Sequence, residues 1–100
     1  PFLIDFTSPS VTITESQSTD SSLSVNLEAV DRFGVIERAY YSLNGGHLMK
    51  AVPVDGMFDS TSERFELKFP DLEPGDYSLV FQGYDENGNV GVATHRVVLP

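Results

Sequence analysis

The chain has 100 residues, 40% of them hydrophobic and 11% aromatic, with no Cys. That is enough for one small domain with a single core, and too apolar for a disordered chain. Fifteen Asp and Glu against six Lys and Arg give a formal charge of -9, the wrong sign for neutralising a phosphate backbone or an anionic lipid surface. Nucleic acid and membrane insertion are therefore not expected: the cations are scattered, and no apolar run approaches the ~18 residues of a spanning helix. Without Cys there is no disulfide, no Cys zinc ligand and no thiol nucleophile, which leaves the redox compartment open.

The chain starts at Pro1 without Met and stops at Pro100 directly after an apolar stretch. It reads as a single domain over 1–100, with 1–8 as an interdomain linker, excised from a longer chain whose targeting signal lies elsewhere. No window carries a sustained apolar period of 3.6, whereas alternation with period two recurs throughout, the signature of half-buried strands. Taken in order, the expected strands run from Val11 to Thr14, Leu23 to Val30, Ile36 to Leu43, His47 to Val52, Glu63 to Phe69, Tyr77 to Asp85, and Val90 to Leu99. Between them lie turn signals: the polar run from Ser16 to Ser22, Asp31 to Gly34, Asn44-Gly45-Gly46, Asp55-Gly56, Pro70 to Asp76, and Glu86 to Asn89. Asn-Gly pairs tolerate the positive φ angles of tight hairpins. In the last strand, Val92 and Thr94 sit on one parity and Val97 and Leu99 on the other, so a bulge is expected between Gly91 and His95. Seven short strands in a chain of this length point to an all-β, seven-stranded antiparallel sandwich.

The run Leu72-Glu73-Pro74-Gly75-Asp76-Tyr77 resembles the tyrosine corner of fibronectin type III and related immunoglobulin-like sandwiches. In that arrangement Leu72 plugs the end of the core and Pro74-Gly75 reverses the chain, while Tyr77 buries its ring and sends its hydroxyl back to a corner backbone group. A second resemblance rests on Tyr41-Ser42-Leu43-Asn44-Gly45-Gly46, Pro53 to Asp59, Glu63-Arg64-Phe65 and Asp85 to Asn89, which are similar to immunoglobulin-like domains of exported multidomain bacterial proteins. It implies an extracytoplasmic accessory module beside other domains. The chain departs from antigen-receptor domains in having no Cys pair and no Trp, and carries Leu27 where fibronectin domains often have Trp. It has no Arg-Gly-Asp after the sixth strand.

Catalytic chemistry finds little purchase. His47 and His95 are the only histidines, and both are expected at surface or edge positions without a nucleophile and an orienting carboxylate. Glu63 and Glu66 would need a cleft to work as a glycosidase pair. A sharper candidate is calcium. In a fibronectin-like topology Asp5, Asp31, Asp55, Asp59, Asp85 and Glu86 gather at one end, and calcium takes six to eight oxygen ligands. Asp85, Asn87 and Asn89 match the first ligands of a calcium loop, but Arg96 at the twelfth position excludes an EF-hand. Glu15, Asp20, Asp71, Glu73 and Asp76 enrich the other end as well, and Asp and Asn serve turns in their own right. Tyr40 and Tyr84 fall opposite the core residues of neighbouring strands, either as a cross-strand pair or as an aromatic platform for a glycan or protein. The expected function is a non-catalytic spacer, domain-positioning or interaction module without a cofactor, whose partners are neighbouring domains of the same chain. The alternatives are a carbohydrate-binding module using Tyr40 and Tyr84, or a linker domain stiffened by calcium at Asp31, Asp55, Asp59 and Asp85.

Overall fold

The computed structural model describes residues 8–32 and 34–100; Asp5 and the rest of the expected linker up to Thr7 lie outside the described residues. Among the described residues the period-two alternation folds into seven strands, β1 (Ser10–Ser18), β2 (Leu23–Val30), β3 (Ile36–Leu43), β4 (Met49–Ala51), β5 (Ser62–Phe69), β6 (Gly75–Asp85) and β7 (Val90–Leu99). All pairings are antiparallel, in a three-stranded sheet ordered β1-β2-β5 and a four-stranded sheet ordered β4-β3-β6-β7. One residue in two faces the space between the sheets, as the pleat requires.

Both sheets supply that core. Val25, Leu27 and Phe65 from the first meet Ile36, Leu79 and Phe81 from the second. The Phe65 and Phe81 rings meet at 4.9 Å between centroids, and Phe58 from the β4–β5 loop packs on Phe65 at 6.0 Å. Truncating a fully buried Phe of this kind costs about 3 to 5 kcal/mol. Around this centre the sheets approach closely on one flank because the facing positions are small: Ala39, Gly83 and Gly91 lie in one cross-strand row. Val11 and Ala29 fill the space a Gly83 side chain would take.

The turns behave as their chemistry dictates. Asn44 and Gly45 have φ of 55° and 70°, the pair of positive values a type I′ turn needs, and Gly46 N donates to Leu43 O at 3.1 Å. Asn44 also clips the hairpin to β6, accepting from Ser78 N at 2.7 Å through its side-chain oxygen. At the β5–β6 corner Leu72 packs half-buried on the core. Pro74 lies exposed before Gly75, which has φ of 147°, and the Tyr77 hydroxyl donates to Glu73 O at 2.6 Å.

Three expectations need correction. β1 does not stop at Thr14 but continues to Ser18 through the polar run, because its backbone stays paired to β2 past a register shift between Ile13 and Glu15. β7 has no bulge: its pairing with β6 is regular from Gly75↔Leu99 to Tyr84↔Val90. Val92 is not a core residue there but 53% exposed, so the two parities need no reconciliation. The shifts fall instead in β1 and between Ile36 and Arg38 in β3. β4 is shorter than His47 to Val52, with three paired residues.

The small row at the flank makes Gly91 a sensitive position, since a Cβ there would overlap the Pro9 carbonyl where the chain crosses β7. Gly91→Ala is expected to destabilise by about 1 to 3 kcal/mol through forced backbone movement, read as a lower urea midpoint at unchanged slope; an unchanged midpoint would show that Pro9 does not pack there.

Candidate functional site

The loop end holding most of the candidate acids splits into two groups with different chemistry. Asp31 and Asp85 are buried, at 2% and 0% exposure. Asp85 closes the β6–β7 turn: its Oδ1 accepts from the backbone N–H of Asn87 and of Asn89, each at 2.9 Å, and its Oδ2 accepts from Asn89 Nδ2 at 3.0 Å. The Asn87 backbone amide and both the backbone and side-chain amides of Asn89 thus act as donors to Asp85. Asp31 Oδ1 accepts from Gly34 N at 3.1 Å, and Asp31 N donates to Thr61 O at 2.7 Å, which ties the β2–β3 loop to β5. Burial raises the Asp85 pKa, but the bonds from the Asn89 side chain, from Asp31 and from the Asn89 and Asn87 backbone outweigh it and leave the carboxyl below its ordinary value.

Asp55, Asp59 and Glu63 form the second group, each offering a carboxylate oxygen within 4.8 Å of the others. Asp55 and Asp59 are exposed on the loop before β5, while Glu63 is 3% exposed on the core-facing parity of Phe65 and Leu67. The Glu63 Oε2 atom accepts from Asp59 N at 2.9 Å and Ser60 N at 3.0 Å, so this carboxylate holds the loop backbone in place. Asp55 likewise accepts from Met57 N at 3.1 Å. The cluster supplies three of the six to eight oxygens calcium takes, and two of its members are already occupied with amides. Glu63 was missed as a member because the sequence shows it only as a strand residue; its parity with Phe65 was the available signal. Glu66, three residues on, lies on the opposite face, so the two glutamates cannot flank one substrate.

On the outer face of the four-stranded sheet Tyr40 and Tyr84 meet edge to face, with centroids 5.9 Å apart and planes at 82°. The Arg38 guanidinium lies 4.5 Å above the Tyr84 ring, and the Tyr84 hydroxyl donates to Gln82 Oε1 at 3.4 Å. These contacts make the two tyrosines a cross-strand pair in which one Tyr84 face is taken by Arg38. His47 is exposed on the β3–β4 loop. His95 lies on the edge strand β7, half-buried, with Nε2 2.8 Å from Ser16 Oγ, in a bond that joins β1 to β7 across the sandwich.

The lowered Asp85 pKa sets a direction for acid sensitivity. A carboxylate whose folded pKa lies below the unfolded value of about 3.9 adds stability above that value, lost as pH falls through the folded pKa. The stability deficit of Asp85→Asn relative to wild type is therefore expected to be constant above about pH 5 and to shrink below it, measured by urea midpoints between pH 2 and 7; a deficit independent of pH would refute the assignment. For the second cluster, thermal midpoints in millimolar calcium and in magnesium at matched ionic strength are expected to coincide. A site filled a hundredfold over its dissociation constant would add about 2.7 kcal/mol, so a calcium-specific rise of about 10 °C or more would make Asp55, Asp59 and Glu63 ligands.

No protein-family model and no curated protein matches the sequence. Among solved structures the chain is similar to the sulfane dehydrogenase SoxCD from Paracoccus pantotrophus, with a TM-score of 0.68 and 19% identity. The likeness covers 92% of this chain and 30% of that one; at that identity it is a likeness of fold.

Proposed function

We propose that the chain is a non-catalytic, immunoglobulin-like or fibronectin-III-like sandwich module of a larger exported bacterial protein, and that it spaces or positions the domains beside it. The observation that carries this reading is the fold likeness, which takes in nearly all of this chain but under a third of the other: the same arrangement occurs there as one part of a longer polypeptide. The division of strands into three and four and the hydroxyl bond of Tyr77 across the β5–β6 corner support the immunoglobulin-like assignment. The resemblance of the Asn-Gly hairpin and the Asp85 to Asn89 turn to domains of exported proteins is what supports an extracytoplasmic location.

The 100-residue chain by itself is expected to unfold in one cooperative transition, with far-UV circular dichroism and tyrosine fluorescence superimposing. In the longer protein, combined His47→Ala and His95→Ala substitutions are expected to leave activity within about twofold. Transitions that do not coincide would count against an independent module, and an activity loss of about a hundredfold or more would place chemistry in this domain.

A further inference from the structure

The two outer faces of the sandwich differ in kind. On the three-stranded sheet the outward positions of β2 and β5 are polar or charged, from Ser24, Asn26 and Glu28 to Arg64, Glu66 and Lys68, with Val30 at the end. This is the ordinary face of a sheet turned to water. The four-stranded sheet instead sets Tyr40 and Tyr84 at its middle and Val90, Val92 and Val98 along β7, interleaved with Ser42, Ser78, Gln82 and Thr94. Val92 and Val98 are 53% and 64% exposed. The apolar surface continues around the β4 edge, where Leu48, Met49 and Val52 are all more than half exposed. An open groove of about 350 Å³ lined by Tyr40, Lys50, Val52 and Phe58 joins the face to that edge. The register sets Val90 beside Tyr84 and leaves Gln82 between Val92 and Tyr40, while Thr94 and Arg96 separate Val98 from them; exposed apolar side chains gathered in this way on a small domain mark a contact site.

Its charge is also reversed. Arg38, Lys50 and Arg96 stand against Asp76 and, at the rim, Glu37, three cations to two carboxylates and thus a net +1 on a chain whose total is -9. Arg38 pairs with Glu37 at 3.4 Å and Arg96 with Asp76 at 3.5 Å. Lys50, beside Tyr40 in the sheet, has no ion pair among the described residues.

We propose that this face is an interdomain interface, covered by an adjoining domain of the longer chain that presents carboxylates around an apolar centre. The inference rests on the module reading above. Size selects the occupant. The 8, 3, 11 and 10 residues of β3, β4, β6 and β7, at ~3.3 Å rise and ~4.8 Å strand spacing, make a face of about 510 Å². That lies within the ~300 to 750 Å² per side of contacts between domains of one chain, and short of the ~800 Å² per partner of stable free association. A tether supplies the difference by raising the local concentration to the millimolar range. A second copy of this chain fits poorly, since it would bring two cationic strips together on bodies that already repel. Lys50 is the cation left to meet the partner's carboxylate, with the Val and Tyr surface desolvated around it.

Hydroxyl-radical footprinting of the longer protein and of the 100-residue chain tests this. Labelling of Tyr40, Leu48 and Met49 is expected to fall about threefold or more in the longer protein, with Met57, exposed on the β4–β5 loop, as the unchanged internal reference. Lys50→Glu in the longer protein should return labelling towards the level of the isolated chain, as should Val92→Glu, both at exposed positions that leave the core intact. Equal labelling in both proteins would overturn the interface while leaving the module reading standing. A reading frame with no adjoining domain would remove the module reading itself. Protection that appears in the isolated chain and grows with its concentration would overturn the proposal in favour of self-association.

Discussion

The contact between Phe65 and Phe81 is the constraint on which the rest of the molecule depends. These rings, 4.9 Å apart and fully buried, are contributed by different sheets, and the backbone hydrogen-bond ladders, which run within each sheet, do not join the layers. A two-layer β domain of this size has no other large source of cohesion: it lacks disulfides, and its stability must come from apolar area removed from water. The position of the aromatic pair also explains the small residues beside it. With two large rings filling the middle, the flank between β1, β6 and β7 closes over Ala29, Ala39, Gly83 and Gly91, so that Val11 and the Pro9 backbone can reach across. Large and small positions complement each other, as close packing requires.

Buried acids form the second level of organisation. Asp85 and Glu63 sit where strands end and loops begin, and each accepts from two backbone amides that would otherwise be left without a strand partner. Charge-assisted bonds of this type offset the desolvation of the carboxylate and order the loop around it. The abundance of Asp and Glu in this chain therefore has two physical origins. Some residues hold turns from within, and others, such as Asp55 and Asp59, remain at the surface, where they contribute to the negative field. Against that field the outer face of β4-β3-β6-β7 is distinct in both charge and hydropathy, and the asymmetry between the two faces is the feature with the most direct bearing on how the module meets its surroundings.

Much of the fold was legible because the pleat writes itself into sequence. The bounds expected for β2, β3 and β7 match those observed; in β2 and β3 the alternation is bracketed by Ser, Gly, Asp or Asn, and β7 begins directly after the Asn87-Gly88-Asn89 turn. β1 was cut short because its second half, Glu15 to Ser18, has no apolar residue on either parity; it is held by pairing to β2, a neighbour outside the local window. The supposed bulge in β7 came from treating every Val as a core residue. Outward-facing Val92 and Val98 belong to the exposed face, and exposure is a property of the assembled sheet. Likewise, the candidate acids could be placed at one end by topology, but their division into a buried pair and a separate cluster depends on which way each side chain turns.

The sequence by itself determined the all-β class, the position of the turns and the alternation that places Phe65 and Phe81 on core-facing parity, because these follow from local periodicity and from the backbone preferences of Gly, Asn and Asp. Only the tertiary structure decided that Asp85 and Glu63 are loop anchors, that Arg38 covers Tyr84, and that one sheet presents an apolar, weakly cationic face. Those features arise between residues far apart in the chain: hydrogen bonds, ring contacts and burial are set by the register of neighbouring strands, and a single strand's pattern carries no record of what stands across from it.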